Sequence, residues 1–146
     1  LKEKAIILDI DGTLADVEHR RHFVEGKLKD WKSFFESMVT DTPNQWCVDI
    51  INAFRETHTI LLVTGRGDDY AEHTKEWLSE HKIHFDFIFM RPAGNFDPDD
   101  EIKEAIYRKH IEEFYDVNFI VDDRQKVVDK WRALGLVCLQ CDLGDF

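Results

Sequence analysis

The stretch Lys4-Ala5-Ile6-Ile7-Leu8-Asp9-Ile10-Asp11-Gly12-Thr13-Leu14 decides the fold. Its first half is almost unbroken apolar sequence, which suits a strand buried on both faces of a parallel sheet. It ends in two aspartates around Ile10 and then Gly12, where the chain can turn sharply. Four more short apolar runs lie downstream, at 59–64, 85–90, 117–123 and 136–141. Helical signals fill the gaps. Asp30 can cap a helix through residues 31–39, and Thr42-Pro43 predicts a helix start running to Arg55. Residues 68–81 carry Tyr70, Trp77 and Leu78 at helical spacing. Asp97-Pro98 opens a helix with Ile102, Ala105, Ile106, His110 and Ile111 on one stripe. Residues 124–134 form a helix that stops before Gly135. The alternation predicts an α/β, Rossmann-like fold: a five-stranded parallel sheet flanked by helices. Residues 1–146 read as a single domain, with a small helical insert after the first strand at about 17–45.

Composition narrows the function. The chain has 19 Lys+Arg against 30 Asp+Glu, a formal charge of -11, so it cannot coat nucleic acid through a basic face. An enzyme working on a strand end needs only a local basic patch, and residues 19–32 supply one with Arg20, Arg21, Lys27, Lys29 and Lys32. No apolar run approaches the roughly 18 residues of a membrane helix, and no membrane role is expected. The three cysteines, Cys47, Cys138 and Cys141, are too few and odd in number for a disulfide framework, so a reducing, cytoplasmic setting is expected. Cys138 and Cys141 lie three apart on a strand and point to opposite faces, which argues against zinc. The chain opens on Leu1 rather than Met, as a cut-out domain or a processed start would.

In parallel α/β sheets the ligand site lies at the carboxyl ends of the strands. There the first strand leads into Asp9 and Asp11, the second into Thr64-Gly65-Arg66, and the fourth into Asp122-Asp123-Arg124. Four carboxylates on one sheet edge repel one another unless a cation neutralises them. An all-oxygen donor set favours Mg²⁺.

Asp9-Ile10-Asp11-Gly12-Thr13-Leu14 after an apolar strand resembles the first motif of the haloacid dehalogenase (HAD) superfamily of phosphotransferases. Val63-Thr64-Gly65-Arg66 resembles its second motif, Lys103 its third and Asp122-Asp123 its fourth. Residues 99–111, 121–135 and 144–146 further resemble the 3′-phosphatase modules of phage polynucleotide kinase/phosphatases. Arg20 also matches, whereas the interior of the insert, 21–45, departs from that pattern. The resemblance implies a HAD fold and a Mg²⁺-dependent phosphomonoesterase. Asp9 is then the nucleophile that forms an aspartyl-phosphate, and Asp11 the general acid and base. The metal ligands are the Asp9 side chain, the Asp11 carbonyl and Asp123. Thr64, Gly65, Lys103, Arg20 and Arg66 hold the phosphate, with Arg20 as a two-pronged clamp. Asp99 positions Lys103 from one helical turn away, and Asp122 orients Lys103 or a metal-bound water. The implied substrates are 3′-phosphorylated DNA or RNA ends, with a kinase domain or a ligase as partner. The chain contains no G-x-x-x-x-G-K-[ST] phosphate loop, so no 5′-kinase activity is expected of it.

The same motifs serve a 5′/3′-nucleotidase on free mononucleotides, a phosphatase of proteins or sugars, or a HAD-like binding domain without catalysis. The complete set of Asp9, Asp11, Thr64, Lys103 and Asp123 argues against the last. His19/His22 and His81/His84 lack the carboxylates of a metal site. Trp46, Trp77 and Trp131 are expected in the core, and Trp31 in the insert over the site.

Overall fold

The computed structural model describes residues 1–144. Residues 145 and 146 of the terminal Gly144-Asp145-Phe146 motif lie outside the described residues.

Five parallel strands form the central sheet: β1 (Glu3–Leu8), β4 (Thr59–Gly67), β5 (Phe87–Arg91), β6 (Tyr115–Arg124) and β7 (Cys138–Gly144). Their order is β5-β4-β1-β6-β7, with β1 central between two parallel partners. That position explains the apolar run. Ile6 and Leu8 pack into one core layer, and Ala5 and Ile7 into the other. The helices α2 (Gln45–Phe54) and α3 (Ala71–Glu80) cover the first face through Cys47, Ile51, Trp77 and Leu78. The helices α4 (Asp99–Ile106) and α5 (Gln125–Ala133) cover the second through Ile102, Ile106, Val127, Val128 and Trp131. The expected α/β architecture with a five-stranded parallel sheet is what the chain adopts. None of the described helices is long and apolar enough to cross a membrane.

After β1 the chain makes the short strand β2 (Ala15–Asp16), a 3-10 segment at Glu18–Val24, the helix α1 (Trp31–Glu36) and a second 3-10 segment at Ser37–Thr40. It then returns through β3 (Thr42–Pro43), antiparallel to β2. Thr42-Pro43 was expected to start a helix, and here the structure differs. Thr42 pairs with Asp16 and Pro43 with Ala15, and α2 begins only at Gln45. Pro43 lacks an amide donor but still fits a two-residue edge ribbon. Asn44 closes the turn, its N–H donating to Leu14 O (2.8 Å) and its side chain to Thr13 O (2.8 Å).

Two smaller expectations also change. A π-helical turn at Tyr107–Ile111 follows α4 and shifts the facing of the chain. Tyr107 and Ile111 are buried, whereas Ala105 and His110 face solvent. On α2, Trp46 is 42% exposed rather than part of the core. All three cysteines are free, and burial pushes each thiol up to about 12.

Candidate active site

Three strand ends build the site. β1 runs into Asp9 and then a tight turn in which Thr13 N and Ala15 N both donate to Ile10 O. Gly12 takes φ +83° there, a conformation that suits glycine, and a Cβ on it would meet Asp123 Oδ2 at 2.1 Å. The ladder between β4 and β5 slips between Thr64 and Gly67. The ladder between β6 and β7 slips between Asp122 and Arg124. Such irregularities at strand ends re-aim side chains, and these fall on the motif residues.

The acids converge. Among the described residues, Asp9, Asp122 and Asp123 have carboxylate oxygens within 4.8 Å of one another, all three buried. Lys103, 1% exposed at the second turn of α4, donates to Asp9 Oδ1 at 3.0 Å and to Asp122 Oδ2 at 2.9 Å. Asp122 is fully engaged: Trp131 Nε1 also donates to its Oδ2 (3.3 Å), and Asp123 N donates to its Oδ1 (2.9 Å). Asp123 Oδ1, by contrast, is buried without a hydrogen-bond partner. Burial and the nearby Asp122 push the Asp9 carboxyl well above the usual carboxylate range, against the pull of Lys103. The same two causes push Asp123 up to about 7. Burial opposes the charge on Lys103, but Asp122 and Asp9 keep it firmly protonated. One ammonium cannot neutralise three buried carboxylates, so the pocket is short of positive charge. Buried carboxylates with an unpartnered oxygen and no nitrogen or sulfur donor fit a hard divalent cation.

The structure places Arg20 and Arg66 on Asp11. Arg66 Nη2 donates to Asp11 Oδ1 at 2.7 Å and Arg20 Nη2 to the same oxygen at 2.6 Å. Despite burial, Arg66 and Arg20 hold the Asp11 carboxyl well below its usual range. Arg20 is wholly buried; its other donors go to both oxygens of Asp41 (2.8 and 2.6 Å) and to Phe34 O (2.8 Å). Arg66 is also tied to Thr74 Oγ1 (3.1 Å). Arg20 and Arg66, expected on the phosphate, form a buried brace on Asp11, which lines the cavity that opens above. Thr64 Oγ1 accepts from Arg66 N at 3.1 Å and is likewise buried.

Above this layer opens a cavity of about 460 Å³. Asp9, Asp11, Gly65, Asp99 and Asp123 line it, while Thr64, Arg20, Arg66, Lys103 and Asp122 stand behind the lining. A Cβ on Gly65 would meet the Asp99 carboxylate, so a larger residue there would have to displace that side chain. Asp99 lies 3.8 Å from Lys103 Nζ, as the i,i+4 spacing predicted, and 3.5 Å from both Arg91 and Arg124.

Three participants escaped the sequence motifs. Asp41 lies in the part of the insert that departs from the resembled pattern, and nothing local marks an acid as the partner of an arginine 21 positions earlier. Arg91 ends β5 much as Arg66 lies near the end of β4, so its place at a strand end was the available signal. Trp131 reads as plain core until its N–H is seen to face Asp122.

Comparisons with known proteins agree with this geometry. The chain is 30% identical to a chain in the structure of the Pnkp1/Rnl/Hen1 RNA repair complex, with a TM-score of 0.87 over 99% of its own length. It is 24% identical, over 91% of its length, to a protein of Autographa californica nuclear polyhedrosis virus described as a bifunctional polynucleotide kinase/RNA ligase. It spans only 44% of the first of these and 18% of the second. A haloacid dehalogenase-like hydrolase of Streptococcus pneumoniae shares the fold at 12% identity, with a TM-score of 0.64 over 94% of the chain and 84% of that protein. The model of the polynucleotide kinase PNKP phosphatase domain matches residues 3–146, and the chain belongs to that family.

Proposed function

We propose that the chain is a Mg²⁺-dependent polynucleotide 3′-phosphatase that removes the terminal phosphate from DNA or RNA ends before they are rejoined. One observation carries the chemistry: Asp9 lines the cavity floor with Lys103 bonded to its Oδ1 and Asp123 beside it. Lys103 bonds only that oxygen of Asp9, and the second oxygen serves as the nucleophile. Family membership and the likeness to a chain of an RNA repair complex support the nucleic-acid substrate.

The steps follow from these residues. An Asp9 oxygen attacks phosphorus, the bond from phosphorus to the 3′ oxygen breaks, and Asp11 gives its proton to that oxygen. Asp11 then takes a proton from water, water attacks phosphorus, and the bond to Asp9 breaks to release phosphate. Arg20 and Arg66 hold Asp11 ionised in the free protein, which suits the second step. An arriving phosphate dianion adds negative charge beside Asp11 and raises its proton affinity, so that it takes up from solvent the proton that it gives in the first. Lys103 and the Gly65 turn stabilise charge on the phosphoryl group. Asp9, the Asp11 carbonyl and Asp123 would hold the metal, with Asp122 keeping Lys103 and the Asp123 backbone in place. A divalent cation there supplies Lewis-acid charge for the phosphoryl oxygens.

The test compares phosphate release from a 3′-phosphorylated oligonucleotide, its 5′-phosphorylated twin and a 3′-mononucleotide. Release from the first alone is expected, stopped by chelator and restored by Mg²⁺. Preference for the mononucleotide would make the protein a nucleotidase, and full turnover in excess chelator would remove the metal from the mechanism.

A further inference from the structure

We infer that Phe35, Tyr70 and Phe96 form a stacking platform for the terminal base of an unpaired strand, so that the site reads a base as well as a phosphate. This rests on the 3′-phosphatase reading, and it explains a feature that phosphate chemistry leaves idle. The cavity is of a size that holds an organic ligand rather than a lone phosphate. Its floor is the acid cluster, and its walls are aromatic. Trp31 and Phe35 come from α1, Tyr70 from the turn before α3, and Phe96 from the loop after β5. The Phe35 and Tyr70 rings lie 5.6 Å apart at 35°, and the Trp31 and Phe35 rings 6.1 Å apart at 25°. These three rings make one continuous wall.

Phe96 lies at the rim and is 93% exposed. A single exposed phenylalanine needs no explanation, but this one is held in place. Arg91 donates to Asn95 O at 3.1 Å, to Asp97 O at 2.6 Å and to Gly65 O at 2.9 Å. One guanidinium thus ties the loop carrying Phe96 to the strand end that forms the phosphate turn. The backbone that carries the exposed ring is thereby tied to the strand end where phosphorus must lie.

Polar groups frame the rings. The cavity lining sets Lys32, Arg91 and Arg124 among six aspartates, of which Asp9, Asp11, Asp99 and Asp123 belong to the acid site. Aromatic faces flanked by cations suit the base and backbone of a single strand, with little preference among bases. A base can enter only if it is out of its duplex stack. Frayed or overhanging ends are therefore the substrates, and paired blunt ends react slowly.

The experiment uses two oligonucleotides with the same 3′-phosphate, one ending in an ordinary nucleotide and one in an abasic sugar. Acetyl phosphate serves as a probe with neither base nor strand. For the wild-type chain KM should be roughly five- to a hundred-fold higher for the abasic end, at similar kcat. Phe96→Ala, and separately Tyr70→Leu, should shrink that gap, and Phe96→Trp should restore it. Equal KM for both ends in the wild type overturns the platform alone. So does a gap that survives both Phe96→Ala and Tyr70→Leu. Turnover of acetyl phosphate with neither oligonucleotide attacked overturns the end-processing reading and the platform with it.

Discussion

Asp9 and Asp11 are two residues apart, yet their surroundings push them in opposite directions. Burial and Asp122 favour a proton on Asp9, whereas Arg66 and Arg20 favour charge on Asp11. Attack by Asp9 needs its charged form, which a divalent cation held beside it and Asp123 would favour. Asp9→Asn should cost at least about 10²–10⁴ in rate, because the covalent route is lost. Its melting temperature without metal should not fall, since a neutral amide relieves like-charge crowding with Asp122 and Asp123. Turnover near the wild-type rate would end the aspartyl-phosphate scheme. Asp41 makes a complementary case. It touches no cavity surface but holds Arg20, which in turn holds Asp11. Asp41→Ala strips a buried arginine of its main partner and should cost about 3 kcal/mol in denaturant unfolding. Asp41→Asn keeps the shape, and its effect should appear as a displaced pH profile of kcat rather than as lost stability. The acids at the strand ends were legible in the sequence because each follows an apolar run. The brace was not: spacing records which residues neighbour one another along the chain, and Asp41 meets Arg20 only after the insert has folded.

At the scale of elements, α1 carries the aromatic wall and depends on one cap. Asp30 Oδ1 accepts from Ser33 N at 3.1 Å, and its Oδ2 accepts from Ser33 Oγ at 2.7 Å. The Ser33 hydroxyl, then its amide, hold the Asp30 carboxyl below its usual value. A lowered folded value means the cap stabilises at pH above the ordinary carboxylate value of about 4 and fails as pH falls through the lower folded value. Amide exchange in α1 should therefore quicken in acid, and Asp30→Asn, which caps without titrating, should remove that dependence. Unchanged pH dependence in Asp30→Asn would show that the cap does not control α1. The caps, the strands and the sheet were readable because they rest on local periodicity. The β2–β3 ribbon was not, since Thr42-Pro43 satisfies the local rules for a helix start. Its pairing with Ala15 and Asp16 is a tertiary choice. The π turn after α4 was hidden for the same reason: Ala105 and His110 keep helical spacing in sequence, and only packing against the sheet shifts the phase.

For the whole molecule, an acidic protein is asked to approach a polyanion. The exposed Lys27 and Lys29 stand in the same insert as Lys32, which lines the cavity, and a local field from them can act against the general repulsion. Lys27→Glu with Lys29→Glu should slow turnover of an oligonucleotide and leave acetyl phosphate untouched. The difference should narrow at high salt, where the field is screened. Equal losses on both substrates would mean that these lysines support the fold rather than guide the strand.

The place of β1 between β4 and β6 has a consequence for biosynthesis. The ribosome delivers Glu3–Leu8 early, but its partners, from Thr59 and from Tyr115 onward, arrive much later. Until then the central strand of the sheet has both edges open, an invitation to misassociation during translation. The same delay governs activity. The nascent chain already contains Asp9, while Lys103 and Asp123 are not yet made. Of the residues that meet here, Asp9 is synthesised before the partners that complete its surroundings.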